Sequence, residues 1–289
     1  MSKGISLSVG LNGLNAIHYA GWDGALNACE ADATDMKAIA DASGFASTLL
    51  LTSDATRDRT ISIFKDAAQE LAMGDLFMFT YSGHGGQVKD VSGDEEDGSD
   101  ETLCLYDGQL LDDEVNSLFA EFNQGVRILV LSDSCHSGTV TREAAVKDFG
   151  IKSFFKGSDK DNLLRGSIGD NDVIYRAMPR EIASKVYLEN KGFYDKIAKN
   201  LSPLPLGEKV KASVLLISGC QDNQLSRDGT FNGLFTSILL KVWNKGAFAG
   251  TYKDLHAQIV ALMPETQRPN YSSTGSPNVV YEEQKPFSI

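Results

Sequence analysis

Residues 75–86 of the chain read DLFMFTYSGHGG, and residues 125–138 read GVRILVLSDSCHSG. Each stretch begins with an apolar run and ends on small and reactive residues, at His84 in the first and at Cys135 in the second. A short continuous apolar run that is bounded by glycine is typical of a buried strand in a parallel sheet. The two stretches therefore predict two buried strands, each with reactive side chains at its carboxyl end.

Further apolar runs predict more strands, and amphipathic stretches predict helices between them. The additional strands are predicted at 5–11, 45–52 and 212–219, with a short one at Asn278 to Tyr281. The apolar stripes predict helices at 27–43, 56–73, 111–122, 181–199, 231–244 and 252–262. Strands that alternate with helices of this length indicate a wound α/β sheet with right-handed crossovers.

The composition is that of an ordinary globular protein. The chain has 289 residues, of which 42% are hydrophobic and 23% are charged, and this length is sufficient for a large core. It contains no apolar run of the roughly eighteen residues that a membrane span needs, and its first residues do not form a signal peptide. Four cysteines are too few for a disulfide scaffold and favour a reducing compartment. We therefore expect a cytoplasmic protein that does not contact membranes.

The charges are unevenly distributed along the chain. The net charge of -12 arises in residues 90–114, which hold eleven acids and no base, whereas 14 of the 27 bases lie between Arg142 and Lys211. Acids are interleaved with those bases, and a non-specific nucleic-acid binder needs a dense basic face, so no nucleic-acid partner is expected. The polar segment 141–210 is predicted to be a linker or insertion between the larger part, 1–140, and the smaller part, 211–289.

The two strand ends carry the residues of a thiol hydrolase. A thiol attacks as its thiolate, and a nearby imidazole can take the proton and later give it to a leaving amine. The glycines on both sides of His84 leave backbone N–H groups free to hold an oxyanion. The alternative is a core histidine in a tight turn and a buried structural cysteine. An α/β-hydrolase esterase is excluded because no G-x-S-x-G motif follows a strand.

Several motifs together resemble one known family. SGHG at 82–85 and DSCHSG at 133–138 are similar to motifs of the metacaspases, and specifically of the prokaryotic orthocaspases among the caspase-like cysteine peptidases. LNACEADA at 26–33, GDEEDGSDE at 93–101 and SGCQDNQLS at 218–226 match further motifs in the family's order. The resemblance covers nearly the whole chain.

The resemblance implies a fold and a catalytic assignment. It implies a single caspase–hemoglobinase-like domain over 1–289, a three-layer α/β sandwich around a mostly parallel sheet, with a p20-like region at 1–140 and a p10-like region at 211–289. His84 and Cys135 would be the catalytic dyad, and the amides of Gly85 and Cys135 would form the oxyanion hole. A monomer without an organic cofactor is expected. The first strand begins near residue 5, and no amino-terminal prodomain is expected.

The predicted specificity follows from charge and from the same resemblance. Asp133 ends an apolar strand, where a lone carboxylate is costly without a cation, and Asp32 matches the family's other pocket acid. Two acids at the base of a pocket select arginine or lysine before the cut bond in a protein or peptide substrate. By resemblance Ser82 lies beside these acids. Cys29 lies in a motif but lacks a partner base, so it is either structural or helps to line the pocket. A different specificity, or a catalytically silent scaffold that binds partners, remains the alternative.

The acidic segment has two interpretations, a solvated loop or a Ca²⁺ site. An EF-hand is excluded, because taking Gly98 as its sixth position puts Gly93 and Cys104 where carboxylates are required. In the family, calcium is held by acids that correspond here to Asp100, Asp112 and Asp113. The family's further acid, after the nucleophile, has no clean match in this chain.

The basic segment is itself a candidate substrate. An enzyme that cleaves after basic residues meets many of them in its own segment 141–210, whose glycine-punctuated sequence is typical of a loop open to proteolysis. Self-cleavage is therefore predicted there, at Arg165, Arg176 or Arg180. The alternative is a folded insertion whose basic residues serve solubility.

Overall fold

The computed structural model describes residues 2–89, 99–134, 174–201, 210–219 and 227–289. The strands are β1 Gly4–Gly10, β2 Ala46–Leu51, β3 Leu76–Ser82, β4 Gly85–Lys89, β5 Ser99–Leu105, β6 Gly108–Leu111, β7 Arg127–Asp133, β8 Ser213–Ser218 and β9 Asn270–Gly275. The helices are α1 Cys29–Ala42, α2 Arg57–Glu70, α3 Asp112–Ala120, α4 Arg180–Glu189, α5 Lys191–Asn200, α6 Leu234–Trp243, α7 Tyr252–Leu262 and α8 Val279–Glu282. Within the described ranges, no helix is both long enough and apolar enough to cross a membrane.

A six-stranded sheet forms the centre of the molecule, in the order β2-β1-β3-β7-β8-β9. Its first five strands run parallel, and β9 pairs antiparallel with β8 at the edge. Strands β3, β7 and β8 are buried along their whole length, as continuous apolar runs require. The predicted mostly parallel sheet is confirmed.

Alternate residues of the central strands face opposite sides of the sheet and belong to two separate cores. On one side, Phe77 and Phe79 of β3 pack against Phe64 of α2, with ring centroids 5.0 and 4.9 Å apart. On the other side, Met78 of β3 and Leu129 of β7 join a cluster that includes residues of α1, α6 and α7. Helices on both faces of one sheet make three layers, which confirms the predicted α/β sandwich.

A second sheet, β4-β5-β6, is antiparallel and was not predicted. It begins at Gly85, directly after His84, and β5 follows the acidic stretch 90–98, which lies outside the described residues. Glycines and acids are poor strand formers, so the pattern gave no strand signal here. The apolar side chains of this sheet, such as Val88 and Leu103, are buried in the same core as β3.

Helices α4 and α5 replace the single helix that was predicted at 181–199. The break is at Asn190, whose side-chain amide donates to the carbonyl oxygens of Val186, 2.9 Å away, and His18, 3.0 Å away. These bonds hold the backbone outside helical geometry and tie the turn to the larger part of the chain. Val186 and Tyr194 are buried in the core of the large sheet.

The strand predicted at Asn278 to Tyr281 is wrong, because α8 lies there instead. The Asn278 side chain accepts a hydrogen bond from the Tyr281 amide, 3.0 Å away, and caps the helix. Two adjacent valines favoured a strand, but this local cap determines the conformation. The edge strand is β9, a polar stretch with only partly buried residues, which lacks the apolar signature of the other strands.

Candidate active site

The carboxyl ends of β1, β3 and β7 lie side by side and form the floor of the site. Ser82 pairs in register with Gly10 of β1 and with Asp133 of β7. A Cβ atom on Gly10 would lie 2.2 Å from the carbonyl oxygen of Cys29, so only glycine lets the start of α1 approach β1 this closely. This approach brings Asp32, in the first turn of α1, to the end of β3.

His84 is buried just beyond β3 and is fixed on several sides. Its carbonyl oxygen accepts hydrogen bonds from the Tyr81 hydroxyl, at 2.7 Å, and from the Cys104 amide, at 3.0 Å. Its ring packs against Trp22, with centroids 4.7 Å apart. Ring atom Nε2 lies 3.0 Å from the carbonyl oxygen of Gly24. A carbonyl can only accept, so Nε2 carries the hydrogen and Nδ1 carries the lone pair.

The imidazole of His84 is held in its basic form. Burial lowers its pKa to about 4, although the bond to Gly24 opposes this shift. Among the described residues Nδ1 has no hydrogen-bond partner, so it is available to accept a proton. Cys135 lies outside the described residues, two positions beyond Asp133. The strand ends that lead to His84 and Cys135 are neighbours, about 4.8 Å apart as adjacent strands are.

The predicted pocket acids come together around a cation, the guanidinium of Arg176, which is 0% exposed. One guanidinium nitrogen lies 2.8 Å from Asp32 and 2.9 Å from Asp228, and the other lies 3.0 Å from an Asp133 carboxylate oxygen. The second nitrogen also donates to the Ser82 hydroxyl, 2.9 Å away. Ser82, Asp32 and Asp133 therefore share one pocket, and Arg176 fills it.

Neighbouring polar groups hold the carboxylates in place. Asp32 accepts from the Asn232 side chain at 3.0 Å and from the Gly233 amide at 2.9 Å. Asp133 accepts from the Thr236 amide at 3.1 Å and from its hydroxyl at 2.9 Å. A Cβ atom on Gly233 would lie 2.5 Å from Asp133 and 2.6 Å from Arg176, so the lack of a side chain there makes room for the guanidinium.

The charges of the pocket depend on one another. Burial alone would lower the pKa of Arg176, but the surrounding carboxylates outweigh it, and the pKa is raised. Burial raises the pKa of Asp32 to about 6, and Asp133 adds to this rise while Arg176 opposes it. Without a cation the acids would be buried beside each other with less to offset their repulsion, so the pocket favours a positively charged occupant. Burial raises the pKa of Cys29 to about 12, which keeps this buried thiol neutral.

The backbone bends at Arg176 and is bound on both sides, with single β-bridges of Tyr175 to Arg227 and of Ala177 to Gly85. The Arg176 carbonyl oxygen accepts from the Gly85 amide at 3.0 Å, and the Met178 amide donates to the Gly85 carbonyl oxygen at 2.8 Å. On the other side, the Asp228 amide donates to the Ile174 carbonyl oxygen at 2.9 Å. Residues 174–178, which we call the cleft segment, thus cross the site with one side chain in the acidic pocket and its carbonyl at the predicted oxyanion donor.

The sequence patterns did not indicate all of these residues. Asp228 was not predicted to belong to the site, because it lies in a loop without a recognisable strand or helix signal. Arg176 was predicted only as a cleavage candidate, not as an occupant of the pocket. Of the other two candidates, Arg180 is exposed in the first turn of α4, and Arg165 lies outside the described residues.

The acids that were predicted to bind calcium lie near the small sheet. Asp100 is buried in β5, and Asp112 is buried at the start of α3, followed by the half-buried Asp113. Burial raises the pKa of Asp112 to about 9, and the charges of Asp113, Glu101 and Asp100 add to the rise. Within the part of the chain that the structure describes, no three His, Cys, Asp or Glu side chains are arranged as a metal site.

The comparisons with known proteins give a consistent result. The family model described as the caspase domain (Peptidase_C14) matches residues 14–281. Metacaspase-1 of Schizosaccharomyces pombe is 32% identical over 200 residues, which cover 64% of this chain and 44% of that protein. Metacaspase-1 of Cryptococcus neoformans var. neoformans is 30% identical over 257 residues, which cover 77% of this chain and 52% of that protein. The chain therefore spans about half the length of these curated relatives.

A solved structure is similar over nearly the whole length. The crystal structure of protein GSU0716 from Geobacter sulfurreducens superposes with a TM-score of 0.84 at 49% sequence identity, and the match covers 99% of both chains.

Proposed function

Since the chain belongs to the caspase-domain family of cysteine peptidases, we propose that it cleaves protein chains after arginine or lysine, with Cys135 as nucleophile and His84 as base. The observation that carries this proposal is the seating of Arg176. A basic side chain fills a pocket of three carboxylates while its own carbonyl oxygen meets the Gly85 amide.

The chemistry can be written with these residues. Nδ1 of His84 takes the proton of the Cys135 thiol, and the sulfur attacks the carbonyl carbon of the basic residue. The oxygen becomes an oxyanion, and the Gly85 amide stabilises it by donating a hydrogen bond. The tetrahedral intermediate collapses to a thioester as His84 gives the proton to the leaving amine, and water then hydrolyses the thioester.

The pocket chemistry favours arginine over lysine and excludes acidic residues. The guanidinium contacts Asp32, Asp133 and Asp228 at once through separate N–H groups, which matches its planar fork. Lysine supplies the charge without the fork. An aspartate before the cut bond would add a further negative charge to a buried acidic cluster, which costs several kcal/mol.

Self-processing follows from the same geometry, with Arg176–Ala177 as the bond that is cut. The cleft segment presents this bond as a substrate would, because the arginine fills the pocket and its carbonyl oxygen is at the oxyanion donor. It also blocks access, so the uncut chain would be its own inhibitor. The cut removes the covalent link that keeps Arg176 in the pocket.

We further propose that the enzyme acts as a monomer, since β9 covers the edge of β8.

Calcium would act through the small sheet, where Asp100, Asp112 and Asp113 would have to close around the ion, because in the described structure they are not arranged as a metal site. Carboxylate oxygens are the ligands that Ca²⁺ takes, and a cation would offset the burial and the repulsion that together raise the pKa of Asp112. Asp100 pairs in register with Val88 of β4, and β4 begins at Gly85. An ion bound there would therefore stabilise the strand that begins at the oxyanion donor.

We expect Ca²⁺ to raise both the activity and the melting temperature. A free Ca²⁺ concentration of 100 times the dissociation constant would add about 2.7 kcal/mol to the free energy of unfolding. Thermal unfolding with and without the ion measures this effect. Asp112→Asn should lose both responses, whereas Asp58→Asn, the same substitution at an exposed position in α2, should keep them. Equal responses in the two variants would contradict the site.

The proposed specificity is tested with fluorogenic peptides that carry arginine, lysine or aspartate before the reporter. We expect kcat/KM in the order arginine, lysine, aspartate, with at least about 100-fold between the first and the last, which corresponds to about 3 kcal/mol. Cys135→Ala is the control and should be inactive with all three. A preference for aspartate would contradict the acidic pocket. A chain that stays uncut and hydrolyses no peptide, with or without Ca²⁺, would favour the silent scaffold.

A further inference from the structure

The two halves of the cleft segment are held very differently. Upstream of the Arg176–Ala177 bond, the side chains of Ile174 and Tyr175 are each 40% exposed. Downstream of it, Met178 is only 5% exposed and belongs to the core cluster beneath the small sheet. Apart from the arginine itself, the upstream side chains therefore lie at the surface and the backbone is tied to Arg227 and Asp228. The downstream half, by contrast, is built into the core through the side chain of Met178.

Met178 occupies a pocket that is shaped for it. A Cβ atom on Gly86 would lie 3.0 Å from the terminal methyl of Met178, and also 2.5 Å from the Gln109 side chain and 2.9 Å from the Thr102 side chain. The absence of a side chain at Gly86 thus makes the room that the methionine uses. The Met178 amide bonds to the Gly85 carbonyl oxygen at 2.8 Å, so backbone and side chain are both fixed.

The chain after Met178 is also anchored. Pro179 precedes α4, and its carbonyl oxygen accepts from the Ala183 amide at 2.9 Å. Val186 of α4 and Tyr194 of α5 are buried in the core. Breaking the Arg176–Ala177 bond removes none of these contacts, so Met178 has no reason to leave when the upstream half does.

We propose that the cleft contains an apolar subsite for the second residue after the cut bond, and that Met178 fills this subsite in the processed enzyme as a tethered competitor of the substrate. This inference rests on the proposed cleavage after Arg176 and adds a second recognition element to it. A substrate chain that continues past the cut bond must displace Met178 from its pocket and from the Gly85 carbonyl oxygen. A substrate that ends in a small leaving group need not.

The tethered Met178 would determine which substrates can bind on this side of the cut bond. A competitor attached to the protein acts at an effective concentration of about millimolar or more, so only substrates that fill the pocket well displace it. An unbranched apolar side chain such as methionine or leucine suits the pocket, whereas aspartate would be buried there without a cation. The enzyme would thus select an apolar side chain at the second residue after the cut bond, and a positively charged side chain at the residue before it.

The test compares two kinds of substrate on the processed enzyme. One is an arginine peptide with an aminocoumarin leaving group, and the others are quenched peptides that continue past arginine as Ala-Met-Pro, Ala-Leu-Pro or Ala-Asp-Pro. We expect the methionine and leucine peptides to exceed the aspartate peptide by about 10-fold in kcat/KM, the effect of burying one apolar side chain. In Met178→Ala the ratio of extended to short substrate should rise by a similar factor.

Two further measurements complete the test. Met263→Ala removes a methionine that is buried in the other core, and it should leave the ratio unchanged. Amide hydrogen exchange of the processed wild type should show protection at Met178, which reports its seating even where a variant folds poorly. The subsite alone would be overturned if the short peptide is hydrolysed, all extended peptides are hydrolysed at equal rates, and the Met178 amide is not protected from exchange. No hydrolysis of the short peptide would overturn the proposed function on which the subsite rests.

Discussion

The Arg176→Gln variant is expected to remain a single chain under conditions in which the wild type divides in two, with self-cleavage slowed by about 100-fold or more. Glutamine is neutral and shorter than arginine, so the ion pairs with Asp32, Asp133 and Asp228 are lost together. Truncating a buried, hydrogen-bonded charge pair typically costs 2–5 kcal/mol, and about 3 kcal/mol corresponds to about 100-fold. The carbonyl oxygen would then no longer be held at the Gly85 amide. Gel electrophoresis over time measures the rate.

Two matched variants separate the pocket from general effects of charge and folding. Arg180→Gln removes the same charge from an exposed position in α4, and it should be cut at the wild-type rate. Arg176→Lys retains the charge without the planar fork, so it should be cut more slowly but completely. Cleavage of Arg176→Gln at the wild-type rate would show that the pocket does not select the bond.

The second large effect concerns the substrate pocket in the processed enzyme. Asp32→Asn is expected to lower kcat/KM for arginine peptides by about 100-fold or more. Asparagine keeps the shape, and its oxygen can still accept from Asn232 and Gly233. Its amide nitrogen, however, donates and cannot accept. It would take the place of the Asp32 oxygen that now accepts from Ser82, at 2.7 Å, and from Arg176, at 2.8 Å. Steady-state kinetics with the arginine peptide measures the loss.

The matched control for Asp32→Asn is Asp35→Asn, one helical turn further along α1. Asp35 accepts from Asn232 at 2.9 Å, as Asp32 does at 3.0 Å, but it makes no ion pair with the guanidinium in the described structure. Asp35→Asn should therefore change kcat/KM for the arginine peptide by about three-fold at most. Equal losses in the two variants would mean that the carboxylate of Asp32 does not bind the substrate.

The parallel sheet and its reactive edge were predictable because they depend on local pattern. Continuous apolar runs such as those of β3 and β7 are buried strands wherever they occur in an α/β protein. Because neighbouring parallel strands end at the same edge, reactive residues were expected to collect there, and the resemblance placed Ser82 beside Asp133. The register confirms that pairing. The start of α1 was predictable only as a helix, and Asp32 was assigned to the pocket by resemblance.

The occupant of the pocket could not be predicted, because it depends on contacts between distant parts of the chain. Arg176 and Asp32 are 144 residues apart, and Arg176 and Asp228 are 52 apart. No local pattern marks a short segment such as 174–178, which is held by a pocket and by bonds to Gly85 rather than by its own periodicity. The small sheet was missed for a related reason, since Gly85 and Gly86 have low strand propensity and serve the close approach of the cleft segment.

The position of the self-cleavage site tests most directly the claim that Arg176 occupies the substrate pocket. The purified chain, incubated with millimolar Ca²⁺, should yield a carboxyl-terminal fragment whose amino-terminal sequence is Ala177-Met178-Pro179, with an intact mass that corresponds to residues 177–289. That result would place Arg176 in the pocket at the moment of cleavage. A fragment that begins after Arg165 or Arg180, or a chain that stays intact while it hydrolyses arginine peptides, would contradict the account.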